Sequence, residues 1–207
     1  MHPIKKILNR FIRFFIISQI RACKCSGNNN IFLTFDDGPE PGIAEFVLDE
    51  LGKYGYKATF FCRGDNAEKY PQLMERIRRE QHAIGNHTFS HLHAYDSLTS
   101  EYIKDVMRAD EVLHTSLMRP PHGSLTLHTW LKLRSRFSIF FWSLNSGDSD
   151  LKHFNFDRSI STLCSQTKPG DIVLFHFCHR HENETRKLLP AYLKWLYDNG
   201  YKSLALK

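Results

Sequence analysis

The 207-residue sequence predicts an α/β protein built on a parallel sheet or barrel, and three observations carry that prediction. Short apolar runs alternate with segments of helical period, as in repeated strand–helix units. Composition is ordinary, with 42% apolar and 24% charged residues, which excludes a disordered chain, a collagen-like repeat and a coiled coil. The chemically loaded motifs fall at the C-terminal ends of proposed strands, where βα-barrel sites collect.

The first residues stand apart. Six of the 28 bases and none of the 22 acids lie between Met1 and Cys25, so the net charge of +6 belongs to that start and the remainder is balanced. A neutral body argues against a nucleic-acid partner. Residues 1–26 place Ile4, Ile7, Leu8, Phe11 and Phe15 at helical spacing opposite the bases. This reads as a basic amphipathic segment making peripheral membrane contact through residues 1–22, at the cytoplasmic face. An export signal is the rival reading, disfavoured because Arg13 and Gln19 confine the apolar stretch to Phe14–Ser18. A helix packed on its own domain is the third. Residues 27–30 (Gly27-Asn28-Asn29-Asn30) form a linker, and residues 31–207 form a single domain. No apolar run approaches the ~20 residues of a membrane span. Five cysteines are too few for a disulfide scaffold.

The remaining elements follow in order. Ile31 to Phe35 is a buried-type strand. Ile43, Phe46, Val47 and Leu51 mark a helix face ended by Gly55. Ala58 to Cys62 is a second strand, and Leu73, Met74 and Ile77 mark a helix opened by Pro71. His82 to Asn86 is a weak strand. Thr99 caps a helix with the face Ile103, Val106, Met107 and Leu113. Leu117 to Arg119 is short and extended, and Ser138 to Leu144 and Asp171 to His176 are strands. Leu188, Leu189, Tyr192, Leu193 and Leu196 give a helix stopped by Asn199-Gly200, and Ser203 to Leu206 closes the chain as a strand.

Two motifs carry chemistry. In Thr34-Phe35-Asp36-Asp37-Gly38-Pro39, two carboxylates leave a buried strand. Side chains alternate along a strand, so the two can do different work, one binding a metal and the other reaching a water. A solvated turn is the alternative. In His87-Thr88-Phe89-Ser90-His91, two imidazoles at i and i+4 share one face if the turn is helical. With an Asp supplied elsewhere they make an open His-His-Asp site of the catalytic zinc type.

With these motifs on the page, the chain resembles the polysaccharide deacetylase family, also called the NodB-homology domain. Further matching residues are Ala58-Thr59-Phe60-Phe61 with Gly64 and Asn66, Gly85-Asn86, Arg119-Pro120-Pro121 with Gly123, Trp142 to Asp148, and Gly170 to Leu174 with His176. The resemblance implies a distorted (β/α)7-type barrel and metal-dependent hydrolysis of N-acetyl groups on an N-acetylated sugar or polysaccharide. It implies that Asp37, His87 and His91 hold one divalent ion, zinc before Co2+, Ni2+ or Mn2+. It implies Asp36 as general base oriented by Arg119, and His176 as general acid tuned by Asp148. Leu174 would line the acetyl pocket, and the backbone N–H of His122 would meet the oxyanion. An O-acetyl esterase, a small-molecule amide hydrolase and an inactive carbohydrate-binding barrel stay open as alternatives.

The sequence departs from the family pattern at three places. Asn145 and Ser149 stand where the family often has Asp and Trp, and His122 where an aromatic is common. The loss of an indole at Ser149 leaves an acyl pocket that is wider, or filled by Trp142 or Phe177. Cys178, His179 and His181 resemble a soft-metal tract but sit in a polar loop, and are expected at the surface or substrate rim. His93, His114, His128 and His153 are expected to be structural or exposed.

Overall fold

The computed structural model describes residues 29–207; the basic segment 1–26 and its expected membrane contact lie outside them. Among the described residues, no helix is long and apolar enough to cross a membrane. The first half runs β1 (Asn30–Asp36), α1 (Ile43–Lys53), β2 (Ala58–Cys62), α2 (Gly64–Lys69), α3 (Pro71–Arg79), β3 (Ala83–Asn86) and α4 (Thr99–Leu113). The second runs β4 (Leu117–Met118), α5 (Leu127–Leu133), β5 (Ser138–Ile139), β6 (Leu144–Asn145), α6 (Phe156–Gln166), β7 (Ile172–His176), α7 (Glu182–Asp198) and β8 (Lys202–Ser203). β1 begins at Asn30, so the last residue of the proposed linker is already in the sheet.

The strands pair in the order β5-β4-β3-β2-β1-β7-β6, with β8 against the start of β1, and every pairing is parallel. β5 and β6 are the two ends of the run Ser138–Leu144 that the sequence predicts as one strand. Phe140 N donates to Met118 O at 2.8 Å, and three residues later Ser143 N donates to Ile172 O at 3.0 Å. The run thus leaves β4 and joins β7, and by bridging the two sheet edges it curls the sheet into the distorted barrel.

Alternation along β1 builds two apolar layers. Ile31, Leu33 and Phe35 point outward and pack under α1 and α7, against residues such as Val47, Leu51, Leu188 and Tyr192. Phe32 joins Phe61, Leu117, Phe140, Ile172 and Leu206 in a second cluster. Each fully buried large side chain contributes about 1.5–3 kcal/mol. Thr34 and Asp36 share the inward face with Phe32, which places a polar layer directly above this plug.

Several expectations are corrected. Thr99 is the first residue of α4 rather than its cap; Leu98 caps it, and the Glu101 carboxylate accepts from Leu98 N at 3.4 Å. The buried stripe of α4 runs through Tyr102, Val106, Ala109 and Leu113, while Met107 is exposed. Ser203–Leu206 is a strand only at Ser203, although Leu206 N still bonds Thr59 Oγ1 at 2.9 Å. Helix α2 lacks the apolar stripe that reveals a helix, whereas α5 (Leu127, Trp130, Leu131) and α6 (Phe156, Ile160, Leu163, Cys164) carry short stripes that the expected elements leave out; α6 fully buries only Leu163. Caps mark the starts of α5 and α6, Thr126 accepting from Thr129 N at 3.1 Å and Asn155 from Arg158 N at 2.9 Å.

Gly85 in β3 offers a test of how tightly this interior is filled. A Cβ there would sit 2.3 Å from Phe61 Cδ1. We expect Gly85→Ala to destabilise the fold by about 1–3 kcal/mol, the usual cost of overpacking. Urea unfolding checks this; an unchanged midpoint would show that Phe61 has room to move.

Candidate active site

β1 delivers its two carboxylates to different surroundings. Asp36 faces into the barrel, and the register of β1 with β7 sets it beside His176. It meets Arg119, a wholly buried side chain. Arg119 Nη1 donates to Asp36 Oδ1 and to Thr34 Oγ1, both at 2.8 Å, and Nη2 donates to Phe141 O at 3.3 Å in the bend between β5 and β6. The Phe61 ring lies 4.2 Å beneath the guanidinium carbon. Burial pulls the Arg119 pKa down, and the charge of Asp36 opposes that shift.

Asp37 turns the other way. Its φ is +78°, a left-handed value uncommon for a residue other than glycine. The turn is held by Asn66 Nδ2, which donates to the Asp37 carbonyl at 3.0 Å. Asp37 Oδ1 then lies 3.3 Å from His87 Nε2 and 3.0 Å from His91 Nε2. Burial works to raise its pKa, but hydrogen bonds from His87 and His91 outweigh burial and hold the carboxyl far below the usual range.

The two histidines converge without a helix. Residues 87–91 form a loop with φ of +64° at Thr88 and +61° at His91. Asp105 on α4 clamps it, with Oδ2 accepting from Phe89 N at 2.9 Å and Ser90 N at 3.0 Å. His87 Nδ1 is 2.7 Å from the carbonyl of Arg119. That carbonyl can only accept, so Nδ1 carries a proton, which leaves Nε2 as the nitrogen that meets Asp37 and would ligate a cation. Nitrogen and oxygen donors about 2.0–2.1 Å from a tetrahedral ion stand about 3.3 Å apart. The observed 3.0 and 3.3 Å match that spacing, so Asp37, His87 and His91 fit one divalent ion with little movement.

Across the cavity, His176 Nδ1 is 2.8 Å from Asp148 Oδ1, and His176 N donates to Asp148 Oδ2 at 2.7 Å. Thr185 on α7 donates to the same Oδ2 at 3.0 Å. Burial would lower the His176 pKa, but the charge and hydrogen bond of Asp148 outweigh it and raise it to about 9. Asp148 itself is held below the usual carboxylate range, against its own burial, by that same pairing.

A cavity of about 370 Å³ joins these groups. Asp36, Asp37, His87, His91, His122, Leu174 and His176 line it, with Arg119 and Asp148 standing behind Asp36 and His176. His122 sits in a tight turn at φ +57°, its ring centroid 4.7 Å from that of His91. Ser149 does face the cavity, and so does Trp142, whereas Phe177 is fully buried among Phe35 and Phe60 and lines none of it. The surface expectation fails for two residues. Cys178 and His181 are buried, and His181 lines the cavity beside His176; only His179 is exposed. His114, His128 and His153 are exposed as expected, and His93 is half-buried. Asn145, a departure from the family pattern, lines the cavity, while Thr34, Arg180 and Thr185 carry no expected role. For Thr34 the signal was present, two residues before Asp36 on the same strand face.

Comparison with known proteins places these features. A polysaccharide deacetylase family model matches residues 24–136. A peptidoglycan-N-acetylglucosamine deacetylase of Bacillus cereus is 35% identical over 154 residues, covering 70% of this chain, which spans 55% of that relative's length. A second such enzyme of Bacillus cereus is 30% identical over 178 residues, with 83% of this chain and 84% of the relative covered. Among solved structures, the Bc1960 peptidoglycan N-acetylglucosamine deacetylase superposes with a TM-score of 0.82 at 29% identity, covering 88% of each chain. The peptidoglycan deacetylase PdaC of Bacillus subtilis gives 0.78 at 26% identity, covering 87% of this chain and 89% of its own.

Arg119→Lys tests the geometry at the base of the site. An ammonium cannot reach Thr34, Asp36 and Phe141 O together as the planar fork does. Disrupting a buried, hydrogen-bonded pair costs about 3–5 kcal/mol. We expect a loss near the lower end, read as a fall in the chemical-denaturation midpoint. A midpoint equal to wild type would show that the three-way hydrogen bonding of the guanidinium is dispensable.

Proposed function

The chain belongs to the polysaccharide deacetylase family, and from that premise we propose a metal-dependent hydrolase that removes N-acetyl groups from an N-acetylated glycan. The names of the relatives make N-acetylhexosamine units of peptidoglycan the first substrate to test. One observation carries the reading: a His-His-Asp donor set at metal spacing shares a cavity with a separately oriented carboxylate and a histidine paired to an aspartate.

In this reading Asp37, His87 and His91 hold the ion, and their mixed nitrogen and oxygen donors suit zinc, with Co2+, Ni2+ and Mn2+ as alternatives. When bound, such a cation polarises the amide carbonyl and acidifies water toward neutral pH. Asp36 takes the proton from the attacking water, and the hydrogen bond from Arg119 to Oδ1 leaves Oδ2 as the accepting oxygen. The backbone N–H of His122 faces the carbonyl oxygen as negative charge develops there, a role open to any side chain that leaves the N–H in place. Leu174 meets the acetyl methyl. The amine nitrogen is a poor leaving group until it is protonated. His176 supplies that proton from Nε2, because Nδ1 is committed to Asp148.

The direct test is release of acetate with a free amine from N-acetylated glycans, combined with variants that separate the two carboxylates. Asp36→Asn should retain the ion and lose about a hundredfold or more in kcat. Asp37→Ala should lose the ion itself, as metal analysis would show. Equal metal loss in both variants, with activity kept, would overturn the assignment.

The pH dependence follows from His176. The group is cationic below its raised pKa of about 9, so the acid is available at neutral pH and is lost as pH rises through that value. A bound dication pulls this limb downward. Asp148→Asn removes the charge that raises the pKa, so the alkaline limb of kcat should move further toward lower pH. A limb that stays in place would mean that another group is the acid.

A further inference from the structure

His181 is the buried histidine of the cavity for which the proposed reaction has no use. It is 5% exposed, its ring centroid is 4.7 Å from that of His176, and its Nδ1 is buried without a hydrogen-bond partner. One ring nitrogen of His181, one of His176 and a carboxylate oxygen of Asp37 all lie within 4.8 Å of one another. Asp37 therefore belongs to two donor sets, one with His87 and His91 and one with His176 and His181. A carboxylate has two oxygens, so it can serve both. Oδ1 faces the first pair, and Oδ2 lies on the side of Cys178, whose Sγ is 3.9 Å away.

We propose that Asp37, His176 and His181 form a second, inhibitory cation site suited to zinc, bridged by Asp37 to the first. The inhibitory consequence rests on the deacetylase reading above; the site itself does not. Two imidazoles and one carboxylate are the ligand types of zinc, and a fourth position stays open toward the cavity. His176 Nδ1 is held by Asp148, which leaves Nε2 as its ligating atom. An ion there occupies the nitrogen that otherwise carries the proton to the leaving amine, so a loaded second site blocks proton delivery. The second ion binds more weakly, by about tenfold or more, because it must displace that proton and stand beside a second dication. Excess zinc is thus expected to lower the rate, while the first equivalent supports it.

The test is zinc stoichiometry on the full chain by equilibrium dialysis with metal analysis, read alongside activity against free zinc. Wild type should bind a tight equivalent and a weaker one. In His181→Gln and His181→Asn the weaker equivalent should disappear and the tight one remain, which also reports that the variants fold. The double variant His87→Ala/His91→Ala should keep the equivalent that depends on His181. Wild-type activity should fall at least tenfold between one equivalent and saturating zinc, and each His181 variant should hold its own maximum. Retention of the weaker equivalent in both His181 variants, or no weaker equivalent in wild type, would overturn the site. A chain that never deacetylates but still binds a His181-dependent equivalent would overturn the function proposed above and leave this site standing.

Discussion

The ion pair between Arg119 and Asp36 is the constraint on which the rest of the site is built. Placing two charges inside a barrel costs several kcal/mol per ion unless geometry and further hydrogen bonds offset it. Arg119 goes most of the way by reaching Asp36 and Thr34 on β1 and the Phe141 carbonyl in the bend, with Nε left unpartnered. The Phe141 carbonyl lies where the chain passes from β4 to β7, so the guanidinium serves the point at which the barrel is bridged. The same residue acts through its backbone: Arg119 N takes the Asn86 carbonyl at 2.9 Å, and its own carbonyl fixes His87 Nδ1. One residue therefore orients the carboxylate proposed as base and the first histidine of the donor set.

From that anchor the adjacent carboxylates diverge. Strand alternation turns Asp36 inward, where a cation holds it that is itself fixed by the Thr34 hydroxyl. Asp37 leaves the strand through a left-handed residue and meets imidazoles instead. The division of labour is a consequence of backbone direction, because the two side chains are chemically identical. The His176–Asp148 pair shows the same logic from the far side of the cavity. β7 brings His176 level with Asp36, while Asp148 reaches it from beyond β6 and Thr185 steadies it from α7.

Much of this was legible in the sequence, for reasons that also explain what was not. The buried strands of the sheet centre read clearly, since a strand covered on both faces is a near-continuous apolar run, as Ile31–Phe35 and Ala58–Cys62 are but for one threonine each. The paired Asp36-Asp37 and the His87…His91 spacing signalled a metal site. Spacing alone suggested a helical turn for those histidines, whereas the loop is shaped by Asp105, 14 residues beyond His91 in the sequence. Helices α5 and α6 were legible but unread: Leu127, Trp130 and Leu131, and Phe156, Ile160, Leu163 and Cys164, stand at helical spacing behind the caps Thr126 and Asn155. His181 was misplaced for a different reason: its neighbours Arg180 and Glu182 are polar, and only the turn after β7 folds its ring under the cavity wall.

Backbone strain marks the site as clearly as its chemistry does. Six described residues other than glycine have positive φ, and four of them, Asp37, Thr88, His91 and His122, lie at the cavity or in the loop that carries His87 and His91. Each left-handed residue of this kind costs about 1–2 kcal/mol. Such conformations persist only where the surroundings over-determine them. Here Asn66, Asp105 and the side-chain amide of Asn86 do so. Asn86 Oδ1 accepts from Thr88 N at 2.8 Å, while its Nδ2 is tied to Val106 O at 2.9 Å. The strain has a chemical return. It brings two imidazole nitrogens within 3.0 and 3.3 Å of one carboxylate oxygen before any ion arrives. An ion entering such a site has little reorganisation to drive. The stability that sustains the arrangement comes from the apolar layers around β1 and from the buried anchor at Arg119, so affinity at the rim is underwritten by packing at the centre.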